Sequence, residues 1–237
     1  MDTVHTPSRP RFLADPDTVR ARLQPTLVAA ACLACLAALS WLGGFDPRLS
    51  EATAYLQHAG FARKAFEAYS QWGPFLFYLP FLAVFGIGVV RRRRLDRTIG
   101  IAYLAAQLFG AVLLTHLLKL GMARLRPHAT PDAATGLLQA LHSSFPSSHT
   151  VDVAVGAFLV FLLVRARGLR MFALTLAGLM AVARLGLGKH YFSDVLAGMA
   201  LGAATTVLVV RVYLLPRWQR RASAPRPSNA HAPLTVL

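Results

Sequence analysis

Six stretches of this chain stay apolar for close to the length of a bilayer crossing: Thr26–Phe45, Trp72–Val90, Ile99–Leu118, Ser147–Val164, Met171–Gly188 and Val195–Leu215. A hydrocarbon core of about 30 Å takes about 20 residues of helix. Lipid offers no water to the backbone amides, so runs of this kind must close their own hydrogen bonds. The pattern predicts an all-α polytopic membrane protein, a bundle of six transmembrane helices. Composition agrees, because apolar types make up 55% of 237 residues while only 15% are charged. A soluble domain carries about a quarter charged residues. The first stretch follows residues 1–25, which hold prolines and several charges. It is longer than a signal-peptide core and is expected to be an uncleaved anchor.

The formal net charge is +15. Such a surplus ordinarily points to nucleic acid, but its placement does not. Seventeen basic residues fall on one side, in the N-terminal tail, the loops Arg91–Arg97 and Arg165–Arg170, and the tail from Arg211, and eight fall on the other. The first side also has four acidic residues and the second six, leaving surpluses of +13 and +2. Excess Lys and Arg mark the cytoplasmic side, so both termini are expected inside and the Arg91–Arg94 run is a topology signal. No nucleic-acid partner is expected, and oligomeric state is not legible. The membrane domain is expected over 26–215, between a tail at 1–25 and a disordered, Arg- and Pro-rich tail at 216–237. Its outer loops are 46–71 and 119–146. In the first, Phe61, Ala65, Phe66, Tyr69 and Trp72 share one helical face. They form either an interfacial helix or a cap on the bundle. Cys32 and Cys35 are too few to close a zinc site and are expected to be packing residues.

Three polar clusters lie on the less basic side. Lys119 and Arg126 are two helical turns apart, and Pro127 marks the helix exit. Two cations snorkelling to headgroups would give the same pattern. Next, Pro146-Ser147-Ser148-His149 opens the fourth apolar stretch. A helix start offers free N–H groups to an anion, although a plain N-cap with an interfacial histidine accounts for these residues equally. Third, Arg184 sits in an apolar helix, and His190 and Asp194 are spaced i, i+4, so both fit one helical face. A carboxylate there can hold one imidazole nitrogen and leave the other nucleophilic. Together the clusters offer cations, hydroxyls, a helix N-terminus and two histidines, a set suited to a phosphoryl group. No acidic metal cage is evident, so no metal or cofactor is expected.

These residues resemble the three-part signature of the type-2 phosphatidic acid phosphatase family, which shares its site with vanadium haloperoxidases. The matching residues are Lys119-x6-Arg126-Pro127, Pro146-Ser147-Ser148-His149 and Ala183-Arg184-x5-His190-x3-Asp194. Ser148 stands where the signature has Gly, and Ala183 where it has Ser. The resemblance spans residues 26–215 and implies a haloperoxidase-like phosphatase core. It implies His190 as nucleophile, Asp194 as its orienting group and His149 as the proton donor and acceptor. Lys119, Arg126, Ser147, Ser148 and Arg184 would hold the phosphate.

With the site near the outer membrane boundary, the expected substrate is a lipid phosphate. Candidates are phosphatidic acid, phosphatidylglycerophosphate, a polyprenyl diphosphate or a lipid A phosphate, hydrolysed without metal through a phosphohistidine. Transfer to another lipid would use the same intermediate. A transporter is the remaining alternative, and would place its charges at mid-membrane on several helices. The Ala-, Arg-, Gly- and Pro-heavy usage is that of a GC-rich bacterium. The expected location is therefore the inner membrane, with the site facing the periplasm.

Overall fold

The structure, a computed structural model, describes residues 12–53, 60–127 and 142–222. These residues fold into helices α1 (Pro16–Leu42), α2 (Asp46–Thr53), α3 (Phe61–Trp72), α4 (Phe75–Val90), α5 (Arg94–Met122), α6 (Ser148–Leu163), α7 (Arg167–Gly186) and α8 (Phe192–Arg220). Wide π-type turns interrupt α5 at Gln107–Leu114 and α8 at Val210–Leu214. An antiparallel bridge between Leu13 and Val164 is the sole β pairing among the described residues.

Five spans are long and apolar enough to cross a membrane: α1, α3 with α4, α5, α7 and α8. The expected fourth span, Ser147–Val164, forms the 16-residue helix α6, which falls short of that length. At 1.5 Å per residue it is about 24 Å long. It is also the most enclosed helix, with Val151, Val153, Ala154, Val155, Ala157 and Leu162 wholly buried. Hydropathy alone made α6 look like its neighbours, because an apolar run reads the same against lipid as against protein.

Two boundaries differ from those drawn on hydropathy. Helix α1 starts at Pro16, before the apolar stretch, because Asp15 caps it by accepting from the Thr18 amide at 2.9 Å. That cap, with proline in the first turn, is a strong helix start in a polar segment. At the other end the backbone stays helical to Ala222, into the segment expected to be a tail. The rest of that tail lies outside the described residues. Cys32 and Cys35 are free and exposed on α1, so they do not pack between helices as expected.

Small residues set the core spacing. Gly198 and Gly202 of α8 face the first turns of α6, and a Cβ on Gly202 would lie 2.6 Å from Ala154 Cβ. Close approach through glycine is a common way for membrane helices to pack without a hydrophobic driving force. Helix α1 lies along α8 as well, and Ala30, Ala154, Phe158 and Ala203 form one cluster where α1, α6 and α8 meet. At the basic end, Arg22 Nη1 donates to the carbonyls of Phe161, Leu162 and Val164 at 3.1, 3.0 and 2.9 Å, closing the C-terminus of α6. The N-terminus of α6 therefore points to the opposite end, where the three polar clusters gather. The expected helix over Phe61–Trp72 forms as α3, and Tyr69 Oη donates to the Leu176 carbonyl at 2.6 Å. It therefore packs on the middle of α7, and Ser70 extends the contact to Arg184 at the polar end.

Candidate active site

The segment His142–Ser147 is the belt that joins the three clusters. Lys119 comes from the last turn of α5, is buried, and donates from Nζ to the Ser143 carbonyl. Arg126, past the end of α5, donates from Nε to the His142 carbonyl at 3.3 Å. The Ser144 amide donates to the Arg124 carbonyl at 2.7 Å, and the Ser147 amide to the Asp194 carbonyl at 3.1 Å. A segment without regular structure is thus pinned by backbone bonds on both flanks, and it places Ser147 at the mouth of α6.

Ser147 is the N-cap of α6, yet its side chain does not cap the helix. Its hydroxyl accepts from Thr150 Oγ1 at 2.9 Å instead. The first amides of α6, those of Ser148 and His149, therefore receive no cap from that side chain. A helix start of this kind attracts anions. His149 stands in the first turn, within electrostatic reach of Arg184, Arg126 and Lys119.

Arg184 comes from the last turn of α7 and is buried. Its Nη1 donates to Ser70 Oγ of α3 at 2.7 Å, and its Nη2 lies 3.0 Å from His190 Nε2. Its Nε is buried without a partner among the described residues, which leaves one donor available to a ligand. The chain then turns at Gly188, whose φ of +61° suits glycine, and brings in His190.

His190 is 1% exposed. Its Nδ1 lies 2.8 Å from the Ser144 carbonyl. A carbonyl only accepts, so Nδ1 carries the proton and Nε2 carries the lone pair. Burial, aided by the charge of Arg184, pulls the imidazole down to about 4, although the carboxylate of Asp194 acts the other way. The ring is therefore neutral at pH 7. Asp194 Oδ2 is 3.6 Å from Nδ1, beyond a good hydrogen bond. Asp194 instead accepts from Ser144 Oγ and from the Tyr191 amide, the latter at 2.8 Å. The carboxylate expected to hold His190 directly thus holds Ser144, whose carbonyl holds the ring.

The structure also brings in residues that the sequence analysis did not select. Ser143 and Ser144 provide carbonyls to Lys119 and His190, and Ser70 reaches Arg184 from α3. Arg124 bridges Asp46 at 2.7 Å and Asp194 at 2.8 Å. Burial alone would raise the Asp46 carboxyl, but hydrogen bonds from Ser193, Ser40 and Arg124 outweigh it and hold the group below its ordinary value. Isolated Ser, Arg and Asp residues carry no spacing signal. Only the alternation of Arg124 with Arg126 was visible in the sequence. The stretch 128–141 of the expected outer loop 119–146 lies outside the described residues. Among the described residues no three His, Cys, Asp or Glu side chains cluster as a metal site.

These observations define a helical membrane protein that gathers Lys119, Arg126, Arg184 and two histidines at one end of its bundle, around a buried imidazole. The profile of the PAP2 superfamily matches residues 100–218, and the chain belongs to that superfamily. Its relatives include the decaprenylphosphoryl-5-phosphoribose phosphatase of Mycobacterium tuberculosis, in strains CDC 1551 and H37Rv. Each is 34% identical over 128 residues, covering 54% of this chain and 67% of the relative. The fold resembles that of a transmembrane PAP2-type phosphatidylglycerolphosphate phosphatase from Bacillus subtilis. The TM-score is 0.56 at 20% identity, covering 86% of this chain and 98% of the other.

Proposed function

We propose that this protein is a lipid phosphate phosphatase that works through a phosphohistidine on His190. The observation that carries this reading is the state of that ring: Nδ1 donates to the Ser144 carbonyl, and the Nε2 lone pair accepts from Arg184 Nη2, a bond that the incoming phosphoryl group takes over. Nε2 attacks phosphorus in line, and the bond to the leaving alkoxide breaks. His149 gives the leaving oxygen its proton. His149 then takes a proton from water, and that water breaks the P–N bond to release phosphate and restore His190. Lys119, Arg126, Arg184, Ser147 and the amides of Ser148 and His149 hold the phosphoryl oxygens. Charge neutralisation thus falls to side chains and a helix start, in a reaction that depends mostly on positioning and electrostatics.

The charge balance supports a phosphomonoester. Lys119, Arg126 and Arg184 gather with Asp194, a surplus of two positive charges, while Arg124 is paired with Asp46. A phosphomonoester carries about −1.5 to −2 at pH 7. Relatives that act on lipid-linked phosphates support an amphiphilic substrate, either an acyl or a polyprenyl lipid. In this reading α6 is a sixth crossing whose short length is tolerated because protein, not lipid, surrounds it. The basic end faces the cytoplasm and the site faces outward, as in a haloperoxidase-like core set in a bacterial inner membrane.

The test is phosphate release from a panel of phosphatidic acid, phosphatidylglycerophosphate, polyprenyl phosphate and polyprenyl diphosphate, with and without an acceptor lipid. Wild-type protein is expected to release phosphate in the presence of chelator and to be inhibited by vanadate. His190→Ala is expected to lose turnover and covalent labelling. His149→Ala is expected to lose about 10²–10⁴-fold in kcat. Label trapped on His190→Ala, or full activity in His149→Ala, would overturn the assignment. Phosphate appearing only on the acceptor lipid would make the protein a phosphotransferase.

A further inference from the structure

Arg124 lies between Lys119 and Arg126 in the chain, and its guanidinium pairs with two carboxylates and a hydroxyl. Its Nη1 donates to Ser193 Oγ at 2.7 Å and to Asp194 Oδ1 at 2.8 Å, and its Nη2 donates to Asp46 Oδ2 at 2.7 Å. The guanidinium is flanked by two aromatic rings, 4.4 Å from the Trp41 centroid and 4.0 Å from that of Tyr191. Arginine is suited to this position because its planar fork reaches two carboxylates while stacking on aromatic rings.

Asp46 is the other end of the arrangement. It begins α2 and lies outside the residues matched by the family profile. It is 1% exposed. Oδ1 accepts from Ser40 Oγ at 2.7 Å and from the Ser193 amide at 3.0 Å, and Oδ2 accepts from Arg124 and Ser193 Oγ. The Ser193 amide belongs to the first turn of α8, where an anion is favoured. Asp46 thus fastens the end of α1 to the start of α8, with Arg124 between two carboxylates.

The chain of contacts runs from Asp46 through Arg124, Asp194 and Ser144 to His190. We propose that Arg124 and Asp46 are positioning residues for the phosphohistidine chemistry, Arg124 holding Asp194 in place and Asp46 fixing Arg124. The proposal rests on the phosphatase reading above. Oδ1 of Asp194 is held by Arg124 while its Oδ2 accepts from both Ser144 Oγ and the Tyr191 amide. A buried carboxylate stripped of its cation is strongly disfavoured. With Oδ1 no longer held by Arg124, the carboxylate is free to turn, and Oδ2 no longer meets both Ser144 Oγ and the Tyr191 amide. Ser144 is released, and with it the carbonyl that aims Nε2. Neither Arg124 nor Asp46 touches the phosphate, so binding is untouched while the attack geometry is lost.

The experiment uses the full chain in detergent micelles, with the lipid of the panel that is turned over fastest and orthovanadate as the binding probe. Arg124→Gln is expected to lower kcat by about 10- to 100-fold, the scale of a misplaced reacting group. KM and the vanadate inhibition constant are expected to stay within about twofold, since uniform binding is preserved. Asp46→Asn is expected to give the same split with a smaller loss. The double variant is expected to be no worse than Arg124→Gln alone, because coupled residues are not additive. Arg124→Lys is expected to recover part of the loss, since a single ammonium keeps the charge but pairs with one carboxylate.

A monodisperse Arg124→Gln with wild-type kcat overturns the proposal. So does a parallel loss of kcat and vanadate affinity, which would make Arg124 a phosphate ligand, or a double variant whose losses multiply. Should Arg124→Gln fail to fold, the proposal stands or falls on the kcat of Arg124→Lys and Asp46→Asn. His190→Ala in the same assay separates the two readings. Turnover by that variant removes the phosphohistidine step, whatever the Arg124 variants do.

Discussion

The proposed attack of His190 on phosphorus needs one ring nitrogen free of a proton, and burial favours that state. His190 is held down to about 4 by desolvation first and by Arg184 beside Nε2. An ordinary histidine titrates near 6.5. Protonation removes the Nε2 lone pair, so the acidic limb of kcat/KM is expected to lie near 4, with activity still high at pH 5.5. A limb at 6.5, measured on the free enzyme's kcat/KM profile, would contradict this environment. Stability follows with the same sign. The unfolded ring takes up protons as pH falls below about 6.5, while the folded ring resists them until about 4, so stability is lost across that window. Chemical denaturation at pH 7 and pH 4.5 would measure the loss against His190→Gln. At this scale the motifs in the sequence singled out His149, His190, Lys119, Arg126 and Arg184, the residues proposed to act. It did not carry the partner of His190. The i, i+4 spacing assigned that part to Asp194, but His190 lies just before α8 rather than within it, so a helical spacing rule does not govern the pair.

Helix α6 stands or falls on how closely α8 approaches it. Gly202→Ala would put a methyl 2.6 Å from Ala154 Cβ and 3.0 Å from the Val151 carbonyl. Overpacking of this kind costs about 1–3 kcal/mol, and a lowered thermal midpoint in detergent would show it. Gly178, inside α7, has nothing within 4 Å of an added Cβ. Gly178→Ala is therefore expected to stabilise by about 0.5–1 kcal/mol, the helix-interior cost of glycine relative to alanine. The contrast of sign between two helical glycines is the check. The start of α6 also matters for the site. Removing Ser147 as N-cap is expected to cost little stability, because its hydroxyl serves Thr150 rather than the helix amides. The helices themselves were legible as apolar runs. The short, enclosed character of α6 was not, since hydropathy measures how apolar a segment is and not what surrounds it.

The whole molecule places its polar machinery at one end and its arginine-rich loops at the other. Cysteine labelling tests which end faces out. With Cys32 and Cys35 replaced, a cysteine at the exposed Lys189 is expected to react with a membrane-impermeant maleimide in intact cells. A cysteine at Arg92, in the basic turn between α4 and α5, is expected to react only after permeabilisation. The reverse pattern would invert the topology. Sequence alone determined that this chain is a helical membrane protein, because lipid makes long apolar runs and basic loops compulsory and both are local properties. It also determined the three motifs, whose members are near one another along the chain. Only the tertiary structure decided what surrounds them. Asp46, Trp41, Ser70 and Ser144 reach the motifs from α2, α1, α3 and the belt before α6. A contact between distant segments costs chain entropy that only cooperative packing repays, so it leaves no periodic trace in the sequence. The residues that perform the proposed chemistry were therefore readable, and the residues that aim them were not.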